Sequence, residues 1–124
     1  GGENPYAIAK EMVDVMTLEA TVVKDEQGLT KALETLASLR ERYSRLSLAD
    51  SGIWTNQNLS WARAVGDMLS LADPILRGSL ERRESRGSHY RVDPLDRNDE
   101  KFLRTTVASY DDATGESKIT FEET

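Results

Sequence analysis

Residues 29–46 read Leu29-Thr30-Lys31-Ala32-Leu33-Glu34-Thr35-Leu36-Ala37-Ser38-Leu39-Arg40-Glu41-Arg42-Tyr43-Ser44-Arg45-Leu46. Leu29, Ala32, Leu33, Leu36, Leu39, Tyr43 and Leu46 recur at spacings of three and four, while Lys31, Glu34, Arg40, Glu41 and Arg42 fall mostly on the other faces. This is the pattern of an amphipathic helix, which must bury its stripe against neighbours. Asp25 is placed to cap it.

The neighbours are legible on both sides. Upstream, Asn4 is a good N-cap and Pro5 suits the first helical position, where its missing N–H had no partner to lose. Ala9, Met12, Val13 and Met16 then share one helical face, with Ile8 and Val15 at its edges, and this helix is expected to end near Met16 or Thr17. Residues 20–23 read as a short β-favouring connector. Downstream, a polar loop over 47–58 leads to a third helix starting around 56–58. There Trp61, Val65, Met68, Ala72 and Ile75 form one stripe, and Ala62, Leu69, Leu76 and Leu80 an adjoining one. So wide an apolar surface implies a helix touched by two neighbours. Pro74 lies inside the pattern and predicts a kink near 70–74, not a break, because the stripe continues in phase.

Beyond Gly87 the character changes. Residues 89–100 are polar and include Asp93-Pro94 and Arg97-Asn98-Asp99, which predicts an extended crossing segment with a turn. Phe102–Tyr110 and Lys118–Glu122 have strand chemistry, and Asp111-Asp112-Ala113-Thr114-Gly115 between them suits a hairpin loop. A lone hairpin is marginal in water, so it must lean on the helices or on a further partner. The expected architecture is mainly α: an antiparallel three-helix bundle of the spectrin-repeat kind over 1–87, with an extended segment and C-terminal β-hairpin over 88–124.

Composition removes several functions. The chain has 124 residues, enough for one modest core. It has no cysteine, which excludes disulfides, thiolate metal sites and Cys nucleophiles. One histidine and scattered carboxylates do not match zinc spacing. The eight glycines form neither GxGxxG nor a P-loop, so the usual dinucleotide device is missing. A net charge of −6 argues against nucleic-acid binding, which needs a basic face. No stretch is apolar for the roughly 18 residues of a membrane span, and residues 1–5 lack the basic and apolar regions of a signal peptide.

The arginines stand apart. Residues 77–97 hold six Arg against four acids, whereas the rest of the chain holds 10 basic and 18 acidic groups. A solvated helix end gives such a count. So does a docking corner, because Arg serves bidentate pairing and interfaces best. Gly87 would supply the sharp exit at the C′ position of the third helix. A Ser/His/Glu set can be drawn around His89, but sequence neighbours at a helix end do not converge as a triad, and no nucleophile elbow is present. His89 therefore reads as a histidine held by local hydrogen bonds.

Glu84-Ser85-Arg86-Gly87-Ser88-His89-Tyr90-Arg91, then Asp93, Arg97-Asn98-Asp99-Glu100 and Phe102-Leu103-Arg104-Thr105-Thr106, resemble the C-terminal signature of the succinate dehydrogenase/fumarate reductase flavoprotein subunit. Asn4-Pro5-Tyr6, Leu36–Tyr43 and Met68–Ala72 match that family's helical domain in order, so the resemblance spans nearly the whole chain. Ser88 stands for the usual Ala, Pro94-Leu95 for Phe-Pro, and Pro74 occupies a position that is usually not proline. The resemblance implies a fragment of an FAD-dependent oxidoreductase, inactive alone. The FAD-binding and capping domains would precede it and carry the covalent flavin, whose linking histidine is not His89. The parent would oxidise succinate to fumarate and pass electrons to an iron–sulfur subunit and then to quinone at a membrane anchor, on the cytoplasmic face of a bacterial membrane. In that setting Glu84, Ser85, Arg86, Gly87, His89, Arg91, Asp93 and Arg97 would make interdomain or intersubunit contacts. L-Aspartate oxidase carries a similar segment and is the alternative parent. A free-standing helical interaction module is the third reading, and a large exposed apolar patch would count against it.

Overall fold

The computed structural model describes residues 5–20, 23–49 and 56–123. Helix α1 spans Pro5–Ala20, α2 Glu26–Ala49 and α3 Asn56–Glu81. A one-turn helix, α4 (Asp99–Phe102), precedes an antiparallel hairpin of β1 (Arg104–Asp111) and β2 (Glu116–Glu123). The three long helices pack pairwise, and α3 also carries the hairpin. The expected bundle with its appended hairpin is therefore present, as is a third helix with more than one neighbour.

The core forms where the stripes meet. Leu29, Ala32, Leu36 and Leu39 of α2 bury against Ile8, Ala9 and Met12 of α1 and Val65, Leu69, Ala72 and Leu76 of α3. Two residues depart from their expected faces. Val13 and Ile75 are 50% and 52% exposed, because Ile8 and not Val13 sits at the centre of the buried face of α1. Helix α1 also runs one turn past its expected end. Asn4, residues 21–22 of the connector and residues 50–55 of the loop lie outside the described residues. Asp25 caps α2 as expected, its Oδ1 accepting from the Gly28 N–H at 2.6 Å. Helix α3 runs unbroken through Pro74.

Where α2 and α3 cross, Tyr43 donates its hydroxyl hydrogen to the Ala62 carbonyl at 2.8 Å. A Cβ at Gly66 would stand 2.6 Å from the Tyr43 Oη, so only glycine admits the ring there. On the hairpin, Ser117, Ile119 and Phe121 alternate inward. Asp73 of α3 accepts from the Ser117 N–H at 2.9 Å, and Arg40 of α2 donates to the Gly115 carbonyl at 3.1 Å. Gly115 closes the hairpin loop with φ +72°.

Candidate functional site: a buried arginine–carboxylate corner

The segment following α3 folds back on the helix that it leaves. Arg86 and His89 pair through two backbone hydrogen bonds of 2.8 and 3.0 Å. Gly87 lies between them with φ +59° and is the only positive-φ residue of that turn, the pattern of a II′ turn with Gly at its first central position. Gly87 was expected at the C′ position of α3. It sits instead six residues beyond Glu81, where α3 ends, because the helix is closed by other means.

Arg91 closes it. The side chain is fully buried, and its Nη1 donates to the carbonyls of Leu80 at 2.7 Å and Ser79 at 3.2 Å. These are last-turn acceptors that have no intrahelical donor, and a cation there also suits the helix dipole. The Nε donates to Asp93 Oδ1 at 3.1 Å. The Asp93 Oδ2 accepts from the Glu26 N–H at the start of α2, at 2.7 Å. Lys24 completes this tie: its N–H donates to the Tyr90 carbonyl at 3.0 Å and its carbonyl accepts from the Val92 N–H at 2.9 Å. One strand-like stretch thus joins the end of α3 to the beginning of α2.

Glu84 is the second centre. Its carboxylate is fully buried and accepts from Arg82 at 2.6 Å, Arg86 at 2.8 and 3.1 Å, and the Asn98 N–H at 2.8 Å. Burial pushes this carboxyl up, but the Arg86, Asn98 and Arg82 hydrogen bonds outweigh it and hold the group below the usual range. Asp93 is lowered in the same way, its burial outweighed by the Glu26 N–H and Arg91. Arg86 is pushed further up by Glu84 and Asp99.

Each expected site residue has a definite place here. Ser85 Oγ donates to the Arg91 carbonyl and accepts from its N–H, both at 2.9 Å. His89 Nε2 lies 3.0 Å from the Arg82 carbonyl and so carries the hydrogen. Burial, followed by the charges of Lys24, Arg91 and Arg82, lowers the His89 pKa despite that hydrogen bond. Arg97 is exposed and pairs with Asp99 at 3.1 Å. Glu84 and Arg91 face wholly inward, while Gly87, Tyr90, Val92 and Leu95 form the outer surface. With Ser85, Glu84 and His89 all committed to other partners, no acyl-transfer set is assembled.

Arg82 carries more of the corner than its place in the sequence indicates. Its guanidinium donates to Thr106 Oγ1 at 2.9 and 3.1 Å and to the Phe102 carbonyl at 2.8 Å. It also stands over the Phe102 and Phe121 rings, 5.8 and 5.3 Å from their centroids. Phe102 and Thr106 lie 20 and 24 residues away, so only its membership of the arginine cluster signalled it.

The chain matches the family model described as fumarate reductase flavoprotein C-term over residues 9–124. It belongs to this family. The succinate dehydrogenase flavoprotein subunit of Bacillus subtilis is 38% identical over 89% of the chain and 19% of that relative. The fumarate reductase flavoprotein subunit of Haemophilus influenzae is 33% identical over 90% of the chain and 19% of that relative. A solved quinol-fumarate reductase with menaquinol molecules superposes with a TM-score of 0.87 at 30% identity, over 99% of the chain and 22% of that structure's chain. The chain thus spans about a fifth of the flavoproteins that it matches. Within this flavoprotein C-terminal family, FAD is the implied cofactor. The described residues form helices and one antiparallel hairpin, without a glycine-rich strand–turn–helix crevice, and do not fit a dinucleotide. Among them there is also no cluster of metal-ligating side chains and no helix long and apolar enough to cross a membrane.

Proposed function

We propose that this chain is the C-terminal helical domain of a flavoprotein subunit that oxidises succinate to fumarate, packing on the FAD-binding domain of the same polypeptide and supporting the interface with an iron–sulfur subunit. The carrying observation is the match over about nine-tenths of the chain to only a fifth of succinate dehydrogenase and fumarate reductase flavoproteins. Flavin, covalently attached, and the groups that bind and protonate the dicarboxylate belong to the part outside this region. Electrons pass to the iron–sulfur subunit and then to quinone at a membrane anchor, with the flavoprotein peripheral on the cytoplasmic face. The domain's own contribution is mechanical. Glu84 and Arg91 lock the corner from inside, and Arg86, His89 and Arg97 present its outer face together with Tyr90, Val92 and Leu95.

An antibody raised on this chain tests the reading in cells of the source organism, with flavin fluorescence read from the same denaturing gel band. A band several times heavier than 13.9 kDa with covalent flavin is expected. A heavy band without fluorescence would remove the covalent attachment and keep the family. A band at 13.9 kDa would leave a free-standing helical module.

A further inference from the structure

Along the crossing of α1 and α3 runs an open groove of about 280 Å³, lined by Met12, Val13, Met16, Met68, Leu71 and Ile75. Thr17 is the one polar residue in its lining, and no charged residue is present there. That is unusual for a chain in which 31% of residues are charged. Val13, Leu71 and Ile75 are 50%, 63% and 52% exposed, immediately beside the buried Met12 and Ala72. The core therefore opens onto the surface here through an apolar lining. The groove between α1 and α2 differs: Glu11, Asp14 and Arg42 line it, and Arg42 pairs with Glu11.

We propose that the α1–α3 groove seats an apolar segment of the same polypeptide, from the part that precedes residue 1 in the full-length flavoprotein. This rests on the reading of the chain as a C-terminal domain. Three observations select that occupant. About four-fifths of each matched relative lies outside this region, so a large tethered body is available. Helix α1 forms one wall and is the first described element, so Val13 and Met16 lie only ~12–17 Å along it from Pro5. A covalently tethered body arrives at high effective concentration and needs no electrostatic steering, whereas separate subunits rely on complementary charge to steer their encounter. The groove lining offers no charge.

The test uses the full-length subunit, purified with its partners, with Leu71 and separately Val13 replaced by photoreactive benzoylphenylalanine. Both positions are exposed, so the replacement leaves the core alone. After irradiation, peptide mass spectrometry is expected to find adducts from both positions to peptides N-terminal to Gly1, with no new heavier band on a denaturing gel. Adducts to a second copy or to the iron–sulfur subunit, seen as a shift to a heavier band, would overturn the proposal. So would adducts confined to residues 1–124 in a long polypeptide, or no adduct at all. A native polypeptide of 13.9 kDa would remove the C-terminal-domain reading itself, an outcome read on the gel before irradiation.

Discussion

Arg91 Nη1 lies 2.7 Å from the carbonyl oxygen of Leu80, eleven residues earlier, so a buried side chain from the crossing segment finishes the helix that it has just left. The same guanidinium is tied to Asp93, which in turn meets the first N–H of α2. Two helix ends of opposite polarity are thus satisfied through one ion pair.

Removing Arg91 leaves buried carbonyls without a donor. Arg91→Ala is expected to lower stability by ~2–4 kcal/mol, the range for stranding buried polar groups and breaking a partly buried pair. Arg91→Lys should recover only part of it, since an ammonium cannot reach Asp93 and the helix end in one planar fork. Urea midpoints of the three proteins check this. Equal midpoints for Arg91→Lys and the parent would show that charge alone suffices.

Arg82 pins the hairpin to the helical unit. Arg82→Ala should cost roughly 2–3 kcal/mol, because it removes charge-assisted bonds and one partner of buried Glu84. Amide exchange localises the effect: protection in β1 and β2 should fall at least tenfold more than protection in the middle of α2.

Arg86 is half-buried, and Glu84 keeps Arg82 and the Asn98 N–H when it is gone. Arg86→Ala is expected to leave the chain folded at a cost of about 1–2 kcal/mol, while lowering recovery of the iron–sulfur subunit with the full-length flavoprotein. Far-ultraviolet circular dichroism checks the fold and co-purification checks the assembly. An unfolded variant would make Arg86 a strut of the domain itself.

Acid should unfold this domain in two stages. The His89 pKa is lowered by folding, so its contribution is complete above the unfolded value of about 6.5 and fades as pH falls from there toward the folded one. Glu84, Asp93 and Asp73 also have lowered values, so their contributions hold above roughly pH 4 and vanish below it. The melting temperature of the parent should decline between pH 7 and 5.5, a decline absent in His89→Gln. Both proteins should then fall steeply below pH 4.

Gly66→Ala sets helix propensity against packing. Alanine gains up to ~1 kcal/mol in a helix interior, yet its Cβ would stand 2.9 Å from the Tyr43 ring carbon Cζ. Displacing that ring also strains its bond to Ala62, and a net loss of about 1–2 kcal/mol is expected, within the range for overpacked sites. Tyr43→Phe combined with Gly66→Ala should not restore the loss, since the ring still occupies the space.

Much of this fold is present in the sequence because it is periodic. Leu29, Leu36 and Leu39 at helical spacing specify α2 whatever surrounds it, and Asp25 and Gly115 mark turns by their own local chemistry. Helix α4 takes the end of the expected crossing segment and Phe102, so the strand begins at Arg104 and not at Phe102; Asn98 caps this turn and accepts the Lys101 N–H at 3.0 Å. One turn is too short to show a period, and only its cap and first-turn acids marked it. Periodicity also fails to say how much of a stripe is covered. Val13 and Ile75 lie in apolar patterns yet stay exposed, since the width of the contact depends on where the neighbouring helix crosses.

Local patterns in the chain encode three helices, a hairpin and, through Glu84–Arg91, the family. Which charges are buried follows only from how these elements pack. Arg91 meets Leu80 and Glu84 meets Asn98 only after the chain turns at Gly87, and Arg82 meets Thr106 only once the hairpin lies on α3. Hydrophobic stripes are encoded by neighbours three and four residues apart. Buried ion pairs depend on directional contacts between distant residues, and no local spacing records them.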